Sequence, residues 1–468
     1  MAMKAISLIL ISCCLLILSC RKDSFITAPD ARVTITVDTL KYDTVFVTSG
    51  SITQSFKIIN ENNQKLRISS IKLMGGNASF FRINADGIIG PEVNDLEIEA
   101  NDSLYVFAQV NINQNTANLP FIVRDSIQIS YNGRNRLVQL EAWGQNAHFL
   151  RNKQVLTNEA WNNDLPYVIL GYLYVDTAQT LTINKGCRIY VHADAPIIVD
   201  GTLQVNGEKD TTSRVYFRGD RLDEPYRDFP AGWPGIYFLR SSINNVLNYA
   251  VIKNSYQAIG VQDPATNTNP KLTLNECIID NAYDAGIIAV NGSIYARNTL
   301  ISNCGKNIYL VQGGDYQFIH CTAVSISNNY IQHKDPVLTV ANTANNISRR
   351  LDALFRNCIF WGQNGIVDDE VVVIKNGNTV FNVNFDHVLW KVQTTPPNIT
   401  STEIINNQPP LFDSIDVSHN YYDFRLQSAS PAVNKGNLAA GIAFDLDGKT
   451  RPLPAATKPD LGCFEKNQ

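Results

Sequence analysis

Ala250-Val251-Ile252-Lys253-Asn254, Cys277-Ile278-Ile279-Asp280-Asn281, Thr299-Leu300-Ile301-Ser302-Asn303, Cys321-Thr322-Ala323-Val324-Ser325 and Cys358-Ile359-Phe360-Trp361-Gly362 are five versions of one short strand. Their first positions advance by 27, 22, 22 and 37 residues, and His387-Val388-Leu389-Trp390 is a weaker sixth. A period in this range, with a turn residue closing each strand, marks a solenoid rather than a closed sandwich. Equivalent positions of successive coils then stack ~4.8 Å apart. Because side chains alternate along a strand, the first position (Ala, Cys, Thr, Cys, Cys) and the third (Ile, Ile, Ile, Ala, Phe) are expected to face in, and the second and fourth out. The fifth position suits a bend, since Asn and Gly enter the left-handed region at low cost and stacked amides bond along the column.

The same geometry bears on the cysteines. Of nine in the chain, Cys13, Cys14 and Cys20 lie near the start, leaving Cys187, Cys277, Cys304, Cys321, Cys358 and Cys463. Cys277 and Cys321 fall two coils apart, about 9 to 10 Å, beyond the ~7 Å reach of a disulfide. Cys321 and Cys358 occupy neighbouring coils, where a bridge is geometrically open and a pair of packed free thiols is the favoured reading. His320 and His387 precede equivalent strands and read as a structural ladder.

Outside the coils, two stretches leave the pattern. Asp220 to Gly235 is rich in charge and proline, and the 37-residue step places a loop within about Ile326 to Arg350. Insertions from one face of a repeat array commonly carry binding. Upstream, Val33–Val37, Phe56–Ile59, Leu66–Leu73, Leu104–Val110, Ser126–Tyr131 and Leu137–Trp143 are short alternating strands, which predict a β-sandwich over 32–146. Asn132-Gly133 between the last two predicts a type I′ hairpin.

The extreme N-terminus reads as an export signal over 1–19: Lys4, an apolar run from Ala5 to Leu18, then Ser19 and Cys20. Ile17-Leu18-Ser19-Cys20 resembles the lipobox of bacterial lipoprotein precursors, and the resemblance implies lipidation of Cys20, a tether over 20–31 and a cell-envelope, outer-membrane location. Several acyl chains at ~0.8 kcal/mol per buried CH₂ would hold such a protein on a membrane. Arg21-Lys22-Asp23 resembles only distantly the export tags of Bacteroidota lipoproteins, so the leaflet stays open. The formal charge of −4 gives no footprint for nucleic acid.

Phe56 to Asn60, Leu66-Arg67-Ile68-Ser69-Ser70-Ile71 and Phe81-Arg82-Ile83 resemble the immunoglobulin-like repeats of choice-of-anchor and spindle-protein-like families, where such domains are spacers or adhesion modules. At the other end, Ser430-Pro431-Ala432-Val433-Asn434-Lys435-Gly436, Asp445-Leu446-Asp447-Gly448-Lys449-Thr450-Arg451-Pro452 and Pro459-Asp460-Leu461-Gly462-Cys463-Phe464-Glu465 resemble the closing motif of choice-of-anchor Q right-handed β-helix proteins. Asn434 stands for that family's acid and Cys463 for its small residue. Gly232-Trp233-Pro234-Gly235-Ile236-Tyr237-Phe238 resembles an early coil of such helices. These likenesses imply an all-β chain: an immunoglobulin-like β-sandwich, then a right-handed parallel β-helix of the pectin-lyase-like kind over 147–429, closed by a terminal rung and cap over 430–468.

The chemistry is less marked. Glycosidases need paired carboxylates at set separation, and lyases need a base with a charge neutraliser. Asp368-Asp369-Glu370 could ligate Ca²⁺, against the plainer reading of a solvated turn. Asp445 and Asp447 open like a Ca²⁺ loop whose later ligands are missing. Asp223, Glu224, Tyr226, Arg227, Asp228 and Trp233 combine charge with aromatic rings and could hold a glycan, against a loop folded on the flank with Trp233 as its plug. The apolar second positions Val251, Ile278, Leu300 and Ile359 would form a partner surface if bare. The expectation is therefore a binding or adhesion module for glycan or a surface protein, without a required cofactor, and the alternative is a lyase or hydrolase of acidic polysaccharide.

Overall fold

The computed structural model describes residues 24–46, 53–111 and 121–466, so the expected export signal over 1–19 and Cys20 lie outside the described residues. The chain divides into two compact units at Asn146/Ala147. It is all-β, with 52% strand and 3% helix. No helix among the described residues is long and apolar enough to cross a membrane.

The first unit holds two five-stranded sheets. Alternation, shifted by one residue at Ser69-Ser70, places Leu66, Ile68, Ile71 and Leu73 in the core while Arg67 and Lys72 face water. Strand Phe121–Tyr131 returns through Asn132 and Gly133, at φ 46° and 75°, into Arg134–Gln145, the expected hairpin. Strands Thr39–Phe46 and Glu92–Ile98 were not expected: charges interrupt both, at Lys41 and Asp43 in the first and at Glu92, Asp95 and Glu97 in the second. Thr39–Phe46 is nonetheless committed to the core by Leu40 and Tyr42, and the Tyr42 hydroxyl donates to the Ala108 carbonyl of the other sheet at 2.6 Å.

The second unit is built on one 25-stranded sheet whose strands pair in parallel, through most of its length each with the third strand after it. The chain therefore winds in three-strand coils. The stretches that open the sequence reading stack in the expected register, Val251 on Ile278, Leu300, Thr322, Ile359 and Leu389 in turn. Their first and third positions are fully buried or nearly so, among them Cys277, Thr299, Cys321, Cys358, Ile252, Ile279 and Phe360. All six described cysteines are buried and unpaired. Burial pushes the Cys277 thiol up to about 12, so this column is packing material and not a nucleophile. Asn254, Asn281 and Asn303 bend the coil at φ 62°, 59° and 50°, and Asn281 donates its amide to Asn254 at 2.9 Å. His320, Asn357 and His387 form the neighbouring column.

Two expectations need correction. The 37-residue step is not one loop, because Leu338–Ala341 rejoins the sheet beside Ile308–Leu310 and divides the insertion into residues 327–337 and a hairpin at 342–350. The terminal segment is not a rung closing the end of the coil. It folds back along the flank, where Phe412, Phe424, Leu426, Leu446, Leu461 and Phe464 pack on Leu300, Val324, Ile359, Trp361 and Leu389. The apolar second positions are thus covered rather than bare. Burial there removes apolar surface from water at ~25 cal/mol per Å², which the isolated coils could not achieve.

Candidate functional site

The motif residues of the C-terminal segment form a buried latch. Arg451 is 5% exposed and donates to His320 Nδ1 at 2.5 Å and to the Asp460 carbonyl at 2.9 Å, with the Glu465 carboxylate 3.3 Å away. Asp445 accepts from the backbone of Asp447, Lys449 and Glu465, and Asp460 from that of Asn434 and Lys466. Desolvation raises the Glu465 carboxyl to about 7 and lifts Asp445 and Asp460 as well, while burial beside Arg451 keeps His320 far below its ordinary range. Asp447 turns away to Arg425 at 2.8 Å. The resemblance to a Ca²⁺ loop therefore dissolves: these acids are occupied by backbone N–H groups and arginines.

Asp368, Asp369 and Glu370 also diverge. Exposed Asp368 accepts from the Gln393 amide, and Asp369 accepts from the Gln393 and Thr394 backbone at 2.6 and 3.1 Å. Glu370 is fully buried and bonded to His333 Nε2 at 2.8 Å. All three lie in the bend before strand Val371–Ile374, where the two aspartates turn to the 393–394 backbone and side chain while Glu370 turns inward, so the carboxylates do not form a cage. Among the described residues no three His, Cys, Asp or Glu side chains are grouped as metal ligands. The His333–Glu370 pair needs the bare α-carbon of Gly362, where a Cβ would sit 2.0 Å from Glu370 Oε1 and 2.2 Å from His333 Nε2. Gly362→Ala is expected to lower stability by about 1–3 kcal/mol, read as a shift of the urea midpoint at constant slope.

The early excursion keeps only part of its candidate site. Trp233 is fully buried in the coil interior with its indole N–H on the Lys253 carbonyl at 2.9 Å, so it is the plug and not a sugar platform. Asp223 is held by Arg221, Glu224 and Asp228 by Arg227, and Tyr226 lies under the Arg221 guanidinium at 4.0 Å. Their charges are spent on one another, and the Arg227 and Asp228 carbonyls accept from Asn254 and Asn281.

A groove lies elsewhere. Two depressions of about 870 and 550 Å³ share Asp315, Gln317 and Arg350 and run over the outer face of the strands Ser293–Arg297, Gly314–Ile319, Leu351–Gln363, Phe381–Trp390 and Thr400–Asn406. Alternation along Gly314–Ile319 turns Tyr316 and Phe318 inward and leaves Asp315 and Gln317 outside. Register then aligns Ser293, Asp315, Asp352 and Asn382 in one column, and Tyr295, Gln317, Leu354, Asn384 and Thr400 in the next. Arg350 reaches Asp315 at 3.6 Å and also contacts Asp352, which accepts from Asn382 at 2.8 Å.

The walls have local causes. The 342–350 hairpin turns through Asn345 and Asn346 at φ 49° and 63°, a type I′ pair, and its base meets Gly313, where a Cβ would lie 2.4 Å from the Arg350 carbonyl. The opposite wall, residues 264–270, is rooted by fully buried Lys271, whose ammonium donates to the Leu239, Arg240 and Gln262 carbonyls at 2.8, 2.8 and 2.6 Å. Burial pulls that lysine down to about 8. None of Asp315, Arg350, Asp352, Tyr295 or Lys271 stood out in the sequence, although the insertion ending at Arg350 did.

No protein-family model matches the chain, and no curated protein does. Solved structures with local likeness include a family 123 glycoside hydrolase from Clostridium perfringens, at 12% identity over 24% of this chain and 26% of that one, TM-score 0.18. PapD-like domain 7 of human CEP192 matches at 9% identity over 26% of this chain and 89% of that one, TM-score 0.18. Pseudomonas fluorescens alkylpurine DNA glycosylase AlkC, bound to DNA containing an abasic-site analogue, matches at 13% over 25% and 31%, TM-score 0.16. The matched part is about a quarter of the hydrolase and a third of the glycosylase, and at these scores no functional argument follows.

Proposed function

We propose that this protein is a cell-envelope lipoprotein, anchored in the outer membrane through Cys20, that binds a glycan without transforming it. In this reading the first unit is an immunoglobulin-like spacer and the second a right-handed parallel β-helix of the pectin-lyase-like kind. The observation that carries the binding assignment is the groove in which Asp315, Arg350 and Asp352 converge beside Tyr295 and Gln317. Sugar hydroxyls pair with carboxylate, guanidinium and amide groups, while their apolar faces stack on aromatic rings. A surface protein is the other partner class. Binding to a glycan array that Tyr295→Ala reduces about tenfold is the expected result; an unaltered array signal would remove the groove from the assignment.

The same convergence of ionisable groups favours a second reading, a lyase or hydrolase acting on acidic polysaccharide. Incubation with uronate polymers followed by mass spectrometry separates the two, since only the enzyme releases products.

A further inference from the structure

We propose that the groove takes an uncharged glycan lying along the coil axis. The inference rests on the groove being the ligand site and adds the ligand's class, direction and length. Direction follows from the two outward columns, which run across the strands and present one side chain per coil. Five strands at ~4.8 Å make a trough about 19 Å long, suited to an extended oligosaccharide and far too long for one ring.

Class follows from the charge balance. Arg350 is shared by Asp315 and Asp352, and Arg356 is paired with Asp386 at 2.6 Å. Arg349 is the one guanidinium lining the groove that has no carboxylate partner among the described residues. A polymer with a carboxylate on every ring needs a cation at each step of its path. Here the steps offer Asp315, Asp352 and Asn382 in one column, below a Ser293 already taken by the Lys271 amide, and Tyr295, Gln317, Leu354, Asn384 and Thr400 in the other. The polar groups match hydroxyls, and beyond Arg349 no step among the described residues presents an unpaired cation to a uronate.

The test is calorimetric titration of the purified chain with gluco-, xylo- and manno-oligosaccharides of two to six rings, beside oligogalacturonates and alginate oligomers. Neutral oligomers are expected to bind, with affinity rising about tenfold from disaccharide to tetrasaccharide and falling about tenfold in Gln317→Ala. Uronates are expected to bind at least about tenfold more weakly than neutral oligomers of equal length. Tighter uronate binding, with the preference erased by Arg349→Gln, would overturn the class while leaving the groove a glycan site. Affinity that does not grow beyond the disaccharide would overturn the axial path. Silence from every glycan removes this inference and the binding function together.

Discussion

Arg451→Met is expected to destabilise the second unit by about 3–5 kcal/mol, the usual consequence of leaving buried charges without their counter-ion. Arg451 is the cation among Glu465, Asp445 and Asp460, and it also holds His320 and the Asp460 carbonyl. The loss should depend on pH with a definite sign. Glu465 is raised from its ordinary 4.5 to about 7, so the folded chain binds its proton more tightly than the unfolded chain. Such a group contributes stability below about pH 4.5 that is lost as pH rises through about 7. Removing the guanidinium lifts Glu465 further, so the penalty should be largest at pH 8 and shrink toward pH 5. Urea unfolding at both pH values measures it. A penalty under about 1 kcal/mol at pH 8, or one that grows on acidification, would show that the latch is not held by charge.

Phe355→Ala should cost a similar amount, about 3–5 kcal/mol, for a different reason. Phe355 is fully buried, stacked between Phe318 at 5.5 Å and Phe385 at 5.0 Å and edge-on to Phe360 at 5.6 Å. Its removal opens a cavity and breaks an aromatic column in which each pair adds ~0.5–1.5 kcal/mol beyond burial. Because Phe318 and Phe385 belong to the adjacent coils, they cannot collapse into the space without breaking the strand register. Phe355→Leu, which keeps most of the volume, should recover more than half of the loss in the same denaturation measurement, and equal losses for both variants would refute the cavity argument.

The coils were legible because each repeats the same local choice: a small or apolar residue inside, Asn at the bend, about 22 residues to the next. Cys277, Thr299 and Cys321 could be aligned by spacing alone, and the sheet pairs them so. The groove was not legible, since Asp315 and Asp352 are 37 residues apart and meet only through register. Trp233 leaves two readings open because an aromatic ring in a charged, proline-rich stretch looks the same in sequence whether it points to water or to the core, and burial selects the plug. The acids of the closing motif read as cap residues with the later ligands of a Ca²⁺ loop missing, and their carboxylates accept backbone N–H groups.

The long return of the terminal segment carries a temporal consequence. Arg214 bonds the Leu446 carbonyl across 232 positions, and Thr322 receives the Cys463 amide across 141. A ribosome releases the coils well before the strip that shields their flank, so every nascent chain passes through a stage with a greasy ridge open to solvent. Chain-terminating mutations after Leu411 would freeze that stage, leaving complete windings that stick to one another in the cell.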